Sequence, residues 1–358
     1  MRSLPSWIKS TAVVLTLGVA LISQSAVAAE KNNFKVAWSI YVGWMPWDYA
    51  NQSGILKKWA DKYGITINLT QVDYIESINQ YTAGGFDGCV MTNMDMLTIP
   101  SAGGVDSTAL IVGDFSNGND GIVLKGAGKK LTDIKGQPIN LVELSVSHYL
   151  LARALDSVAL KERDIKVVNT SDADIVAAFG SKDSTAAVTW KPQLSEVIKM
   201  PNVTEVFNSS KIPGEIIDLM VVNTAVLKDN PKLGKALVGA WYETLAVMSG
   251  GDSKATAALT SMAKASGTDL ADFKSQLATT KLFVTPSETH TFTTSPGVVK
   301  TMELVRTFSF SHGLLGKDAK SVDAVGIEFP GGKTLGNPKN IKMRFDPSYV
   351  KLAVDGKL

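Results

Sequence analysis

Five carboxylates stand where predicted strands end or are interrupted. Asp95, Asp114 and Asp120 follow apolar runs, whereas Glu143 and Asp218 interrupt two others. A carboxylate removed from water needs a cation or hydrogen-bond donors to offset the cost of burial. An anion receptor would instead be expected to place arginine forks or helix N-termini at its site. Arginines beyond the first thirty residues lie away from the predicted strand ends, at Arg153, Arg163, Arg306 and Arg344.

Each of these carboxylates also has a structural interpretation. Asp95 could cap or start a helix, and Glu143 could be a helix-capping or surface residue. Asp114 and Asp120 flank a Ser-Asn-Gly-Asn segment, where aspartate commonly forms turns. Asp218 could form a hinge hydrogen bond rather than meet a ligand. The pattern as a whole favours a cationic over an anionic ligand.

Aromatic residues accumulate at the same kind of position. Trp38, Tyr41, Trp44 and Trp47 lie within ten residues, and Trp190 ends a strand further along the chain. A tryptophan face attracts a planar cation by roughly 0.5–2 kcal/mol. Core packing explains any single tryptophan, but aromatics at the ends of two facing strands favour a ligand role, above all for Trp44 and Trp190.

The combination suits a planar, donor-only cation such as guanidinium. Its complement is a set of carboxylates or carbonyls in its plane, with an aromatic ring above or below. Neutral urea would also need a donor, for which Asn93, Ser147 and His148 are available. The surplus of acidic groups favours guanidinium, with urea next.

Alternating strand and helix patterns must position these residues. They predict an α/β protein with right-handed crossovers and ligand sites at the carboxyl ends of the strands. From about residue 253 the pattern is mostly helical, and residues 331–347 read as an irregular tail rich in Gly, Asn and Pro. Strands are expected at 34–40, 65–69, 87–91, 110–112, 121–124, 139–144, 165–168, 186–190 and 215–223.

Two chain crossings are expected, near residues 121–125 and 214–222. They divide the chain into a first lobe of residues 30–122 and 215–358 and a second lobe of residues 123–214. The strand-end loops would then face one another across a cleft.

Residues 1–29 have the features of a signal peptide. Arg2 and Lys9 precede a short apolar run, and Ala26-Val27-Ala28 supplies a cleavage pattern. We therefore expect the mature chain in the periplasm, or secreted. The single cysteine, Cys89, lies in an apolar run and is expected to pack in the core. A net charge of only +2 argues against nucleic acid as a partner.

Several of these motifs, in this order, resemble those of periplasmic solute-binding proteins of ABC importers. They are the 38–47 loop, Gly84-Gly85-Phe86-Asp87, Thr92-Asn93-Met94-Asp95, and the two ends of the strand–helix unit over residues 131–193, which begins with Leu131-Thr132-Asp133 and closes with residues 187–193. The chain is similar to the nitrate, sulfonate, taurine and thiamine-pyrimidine branch, and within it to binding proteins encoded beside urea carboxylase.

The resemblance implies a two-lobed, type II periplasmic binding protein that closes on a small molecule. It also implies a membrane permease and an ATPase subunit as partners, with no cofactor, no metal and no catalytic residues; we expect a monomer. The expected ligand-binding residues are Trp38, Tyr41, Trp44, Thr92, Asn93, Asp95, Asp114, Ser116, Asp120, Glu143, Ser147, Trp190 and Asp218.

Two other interpretations remain open. A receptor of the same fold could bind an anion or a pyrimidine through Ser145, Ser147 and a helix N-terminus. A secreted enzyme is the alternative of another class, but His148, His290 and His312 are too dispersed in sequence for a recognisable catalytic motif. The glycine-rich segment 126–130 lacks the first glycine and the Ser/Thr of a phosphate-binding loop.

Overall fold

The computed structural model describes residues 31–358, so the predicted signal peptide lies outside the described residues. No helix among the described residues is both long enough and apolar enough to cross a membrane. Alternating strands and helices build two β-sheets, as the sequence pattern predicts.

The larger sheet, here called the first sheet, contains nine strands within residues 31–358. Its order is β13-β12-β14-β4-β10-β3-β1-β2, and β11 adds to the edge of β4. Strands β1, β2 and β3 run parallel, whereas β10 lies antiparallel between β3 and β4. The strands are β1 (Asn33–Trp38), β2 (Thr66–Gln71), β3 (Gly88–Thr92), β4 (Ser107–Ser116), β10 (Ile217–Asn223), β11 (Thr280–Leu282), β12 (Gly326–Glu328), β13 (Thr334–Leu335) and β14 (Ile341–Phe345).

The smaller sheet, here called the second sheet, has the order β7-β6-β8-β5-β9. Strands β6, β7 and β8 are parallel, and β5 is antiparallel to both of its neighbours. The chain enters this sheet after residues 117–120 and leaves it through residues 209–216. Its strands are β5 (Gly121–Lys125), β6 (Pro138–Leu141), β7 (Lys166–Asn169), β8 (Ala186–Thr189) and β9 (Val203–Asn208).

Helices connect the strands and cover the sheets. The long helix α9 buries Leu237, Trp241 and Leu245, and its Trp241 ring stacks on Trp47 of α1. The α-helices are α1 (Met45–Gln52), α2 (Ile55–Lys62), α3 (Tyr74–Thr82), α4 (Asn93–Met96), α5 (Val146–Ser157), α6 (Ile175–Gly180), α7 (Gln193–Ile198), α8 (Thr224–Asp229), α9 (Pro231–Ser249), α10 (Ser253–Ala265), α11 (Leu270–Leu277), α12 (Pro286–Thr293), α13 (Pro296–Ser311) and α14 (Ser348–Val354).

Two local predictions differ from the structure. In the sequence, Tyr49 to Tyr63 reads as a single helix stopped by Gly64, but the structure has two helices there, because Gly54 adopts a left-handed φ of 80° between them. The tail expected to be irregular supplies β13 and β14 to the first sheet. Short strands of this kind are weak signals in sequence, since pairing with β12 and β4 stabilises them rather than local propensity.

Two strands end at residues other than those predicted, which changes where two of the predicted carboxylates lie. Strand β6 ends at Leu141, so Glu143 lies in the following loop and not in an apolar strand. Strand β4 continues to Ser116, so Asp114 lies inside the strand instead of following it. Cys89 is fully buried in β3, as predicted.

Candidate ligand-binding site

A small cavity lies between residues of the two sheets. Trp44, Tyr74, Thr92 and Asp218 reach it from the first sheet and its helices, and Trp190 from the end of β8. About 20 Å³ is open to the centre of a water molecule, and one buried water needs about 10–15 Å³ by that measure. The walls are therefore nearly closed on one another. The lining residues are Tyr41, Trp44, Tyr74, Thr92, Asp120, Val146, Trp190, Ile216 and Asp218.

Antiparallel pairing of β10 brings two of the carboxylates together. Asp218 pairs with Asp114 of β4 on one side and with Thr92 of β3 on the other. The Tyr41 hydroxyl donates to Asp114 Oδ1 at 2.9 Å, while the buried Asp114 Oδ2 has no donor. A proton on Asp218 would supply that donor, since a protonated carboxyl can donate.

Burial and mutual repulsion raise the pKa of both members of this pair. Desolvation is the largest cause at Asp114 and at Asp218, and the charge of Asp114 raises the pKa of Asp218 further. Two buried carboxylates in contact cannot both ionise without a large cost, so they titrate as a coupled pair. Burial also raises the pKa of Tyr41 well above its usual value, so its hydroxyl remains a donor.

Asp120 lies in the same cavity and is held by its own loop. The Ser116 hydroxyl donates to Asp120 Oδ2 at 2.5 Å and accepts from the Asp120 backbone N–H at 3.2 Å. Burial raises the pKa of Asp120 to about 6, and the charge of Asp95 adds to the shift. Asp120 and Asp218 line the cavity, whereas Asp114 pairs with Asp218 without lining it; the three are called the cavity acids below.

Asp95 lies behind the cavity wall. Its Oδ2 accepts hydrogen bonds from Tyr74 at 2.6 Å and from Thr92 Oγ1 at 2.9 Å. Thr92 is also the N-cap of α4, where its hydroxyl accepts from the Asp95 backbone N–H. Burial raises the pKa of Asp95 to about 6, although both hydrogen bonds oppose the shift. Asp95 therefore positions Tyr74 and Thr92.

Four aromatic rings surround the acids. Trp44 contacts Tyr41 edge-on with ring centroids 5.0 Å apart, and lies 5.7 Å from Tyr74. Tyr74 in turn meets Trp190 edge-on at 5.5 Å. The tryptophan rings thus supply electron-rich faces beside buried carboxylates, which is the pairing that attracts a planar cation.

The protein supplies no cation to this cluster. Within residues 31–358, no lysine, arginine or histidine forms an ion pair with Asp95 or the cavity acids. All four carboxylates are nevertheless buried, at 0–4% exposure. Buried charges in proteins are normally paired, so this site is electrostatically incomplete.

Because Gly43 has no side chain, its backbone can lie close to the side chains of Tyr41 and Asp114. A Cβ at this position would lie 2.4 Å from Tyr41 Cε1 and 2.6 Å from Asp114 Oδ2. Any side chain here would displace the hydrogen bond between Tyr41 and Asp114.

Several predicted site residues lie away from the cavity. Glu143 is exposed, and only its backbone N–H is engaged, with Asn169 Oδ1 at 3.0 Å. Glu143 lies away from the cavity because β6 ends at Leu141, three residues earlier than the predicted strand over residues 139–144. Trp38 is buried in the core of β1 and does not line the cavity.

Others support the site without lining it. Asn93 accepts from Ile217 N–H at 3.0 Å and donates to the Glu215 carbonyl at 3.1 Å, which fixes the returning strand beside α4. Ser116 holds Asp120, as described above. Ser147 is buried in the first turn of α5, next to the lining residue Val146, and its hydroxyl has no partner among the described residues.

Sequence reasoning missed Tyr74, Val146 and Ile216, which line the cavity. Tyr74 follows the end of β2 and opens α3, so the strand-end argument applied to Trp44 would have found it. Nothing in the sequence distinguishes Val146 or Ile216 from ordinary core residues.

Solved structures with a similar fold include binding proteins of two kinds. The alkanesulfonate-binding protein SsuA from Xanthomonas axonopodis pv. citri, bound to MOPS, gives a TM-score of 0.67 at 18% identity, covering 83% of this chain and 99% of that one. The periplasmic nitrate-binding protein NrtA from Synechocystis PCC 6803 gives 0.56 at 12% identity, covering 92% and 99%. At such identities the similarity concerns the fold.

Similar sequences cover less of the chain. The taurine-binding periplasmic protein of Escherichia coli (strain K12) is 23% identical over 178 residues, 49% of this chain and 56% of that protein. A protein of Brucella abortus (strain 2308) named only as a binding protein is 26% identical over 145 residues, 40% and 44% of the two chains. This chain therefore matches about half the length of these curated relatives. No family model matches it.

Three observations lead to one conclusion. The chain has two sheets with their helices, a cavity lies between them, and the similarity covers nearly all of the SsuA and NrtA structures. The chain has the two-lobed α/β fold of the periplasmic solute-binding proteins.

Proposed function

We propose that this chain is the periplasmic solute-binding component of an ABC import system and that its ligand is a small, planar, nitrogen-rich cation, guanidinium first. The observation that carries the proposal is a small cavity lined by the buried Asp120 and Asp218, with Asp114 paired to Asp218 and no cationic side chain lining it among residues 31–358. The chain would act by binding and delivering its solute to a permease served by an ATPase subunit.

Charge separates this proposal from an anion receptor. The solved neighbours are named for alkanesulfonate and nitrate, and the E. coli relative for taurine. An anion in this cavity would face Asp120 and Asp218 at close range, with Asp114 beside Asp218, and these charges would repel it. A cation would instead relieve the mutual repulsion of the carboxylates.

Shape supports a small planar ligand. With about 20 Å³ open, only a compact solute could be enclosed without a large movement of the walls. Trp44 and Trp190 could cover the faces of such a plane while carboxylate oxygens accept from its edge. Guanidinium has donors on every edge and no acceptor, which matches a set of acceptors.

Urea is the second candidate, favoured by one observation. Burial and the charge of Asp114 raise the pKa of Asp218, which favours its protonated carboxyl. That proton could donate to the urea oxygen while the other carboxylates accept from its amide groups.

The proposal is tested by titration calorimetry of the mature protein with guanidinium chloride, urea, taurine and sodium nitrate, each below the concentrations that denature proteins. We expect guanidinium to bind most tightly and sodium chloride at equal ionic strength to give no heat of binding. Tight binding of taurine or nitrate would overturn the cationic ligand, although the role of a solute-binding protein would remain.

Asp218→Asn is the informative variant. Losing a buried partner of a charged ligand costs about 2–5 kcal/mol, so guanidinium affinity should fall by a factor of about a hundred. Glu143→Gln removes a carboxylate that is exposed and lies outside the cavity, and serves as the matched control. Equal affinity in Asp218→Asn and Glu143→Gln would contradict the proposed site.

A further inference from the structure

Three ionisable side chains meet far from the cavity acids, where α5 packs against the end of α13. His148 lies in the first turn of α5, Glu162 in the short 3₁₀ turn Glu162–Asp164, and His312 at the C-cap of α13. His312 Nε2 lies 2.7 Å from Glu162 Oε1, and His148 Nε2 lies 3.0 Å from the same oxygen. Two histidines thus share one carboxylate oxygen.

The surroundings of His312 favour its charged form. Its Nδ1 lies 2.9 Å from the Phe308 carbonyl oxygen, which can only accept, and 3.1 Å from Ser311 Oγ, which itself donates to that carbonyl. Its Nε2 faces a carboxylate oxygen, which also accepts while ionised. Acceptors at both ring nitrogens suit an imidazolium paired with Glu162.

His148 has the opposite arrangement. The Leu144 backbone N–H donates to its Nδ1 at 3.1 Å, so a neutral ring carries its proton on Nε2. That proton points into the cluster, although the contact with Glu162 is not aligned as a hydrogen bond. A metal ion would need a lone pair on this nitrogen, so the His-Glu-His set does not suit a metal.

This cluster joins elements that belong to different sheets. Helix α5 and Glu162 follow β6 of the second sheet, whereas α13 packs on α4 beside β3 of the first. Phe308 of α13 stacks its ring on His312 and meets Tyr149 of α5 edge-on, at centroid distances of 4.0 and 5.2 Å. The first residue of α5 is Val146, which lines the ligand cavity.

We propose that Glu162 and His312, with His148 beside them, form a proton-dependent clasp that holds α5 against α13 and so keeps the cavity wall at Val146 closed. Its effect on ligand affinity rests on the proposed function, whereas its effect on the α5–α13 contact does not.

The direction in which pH changes the stability of the clasp follows from the pairing of Glu162 with His312. The hydrogen bond to Glu162 raises the pKa of His312, with burial opposing it, and the two histidines lower the pKa of Glu162 to about 2. A raised histidine pKa stabilises the closed contact at low pH, and this stabilisation is lost as pH rises through that pKa. The clasp should therefore open as pH rises above the ordinary histidine pKa of about 6.5.

Several other charged groups beside the clasp form ion pairs of their own. Arg153 pairs with Glu215, Lys161 with Asp156, and Arg306 with Glu303. Charged groups lining the groove beside His312 are Arg153, Asp156, Lys161, Glu162 and Glu303, with Arg163 next in sequence.

Amide hydrogen exchange of the mature protein without ligand tests the clasp directly. It is measured by mass spectrometry from about pH 6 to about pH 8.5 and corrected for the pH dependence of the intrinsic exchange rate. We expect peptides covering α5 and the end of α13 to lose protection as pH rises in the wild type. His312→Gln and Glu162→Gln should remove this pH dependence, whereas His290→Gln, at the histidine outside the cluster, should retain it. An unchanged profile in both cluster variants would overturn the clasp.

Two further measurements separate this proposal from its alternatives. The ratio of the guanidinium affinity of the wild type to that of His312→Gln should fall about fivefold over the same pH range, because both proteins share the titration of the cavity acids and only the wild type has the clasp. If guanidinium does not bind at all, the exchange result still decides the clasp. A thermal shift with Zn²⁺ that disappears in His312→Gln would overturn it in favour of a metal site.

Discussion

The cavity acids and the Arg153–Glu215 contact show two ways in which this protein holds carboxylates away from water. Glu215 receives two bonds from Arg153, at 2.8 and 3.0 Å, and one from Tyr149 at 2.7 Å. Among the described residues, the side-chain donors to the cavity acids are neutral hydroxyls, and Asp114 Oδ2 has none. Glu215 is therefore neutralised by a cationic side chain, whereas the cavity acids are not.

The difference shows which acidic residues are informative about function. A buried carboxylate with a guanidinium partner contributes to the link between α5 and β10, and needs no ligand to explain it. A buried carboxylate without a partner raises the free energy of the unliganded protein, and a ligand that supplies the charge recovers that free energy. A carboxylate that suggests a ligand is therefore distinguished from a structural one by its burial and its partners together, and not by its residue type.

Among the changes considered, a side chain at Gly43 should have the largest effect on the cavity and on ligand binding. In Gly43→Ala the new methyl group collides with Tyr41 and Asp114, so guanidinium binding should be lost and stability should fall by about 1–3 kcal/mol. Calorimetric titration and thermal unfolding measure both effects. Gly180→Ala is the control, since a Cβ there meets nothing within 4 Å. Wild-type affinity in Gly43→Ala would place the ligand elsewhere.

Acid should separate the two carboxylate environments. Burial raises the pKa of Asp120 and of Asp95 to about 6, against an ordinary value near 3.9. Protonation of these groups stabilises the unliganded protein fully below about pH 4, and this contribution is lost as pH rises through about 6. A cation competes with the same protons, so its affinity should drop about tenfold from about pH 7.5 to about pH 5.5.

Titration calorimetry at several pH values measures this competition, together with the protons released on binding. Asp218→Asn should release fewer protons than the wild type, because one member of the coupled pair no longer titrates. In His312→Gln, which lacks the proposed clasp, affinity that rises as pH falls would instead indicate an anionic ligand.

Disrupting the paired carboxylate should have the smallest effect on binding. Arg153→Gln leaves Glu215 with Tyr149 alone, and should lower stability by about 1 kcal/mol after allowance for solvent screening at the half-exposed arginine. Guanidinium affinity should change by less than about twofold, since Arg153 lies outside the cavity. Lys57→Gln, in an exposed ion pair with Asp61, is the control. A large loss of affinity in Arg153→Gln would erase the distinction between the two environments.

Part of the candidate site follows from sequence alone. Tyr41, Trp44, Thr92, Asp120, Trp190 and Asp218 were expected at strand ends and do line one cavity. The α/β class was equally predictable, because alternating apolar runs and amphipathic segments leave few architectures that bury both. Whether these residues bind a ligand stays a prediction.

Other features depended on long-range pairing. The antiparallel insertion of β10 between β3 and β4 placed Asp218 beside Asp114, and the end of β6 left Glu143 in solvent. The clasp of His148, Glu162 and His312 joins residues more than 140 positions apart.

Sequence by itself determined which side chains were available and their local elements, since periodicity and turn residues are local properties. It also determined that acidic residues outnumber arginines at the predicted strand ends. Only the tertiary structure decided which carboxylates are buried without a partner and which are paired, because strand register and helix packing set the distances between residues remote in the chain.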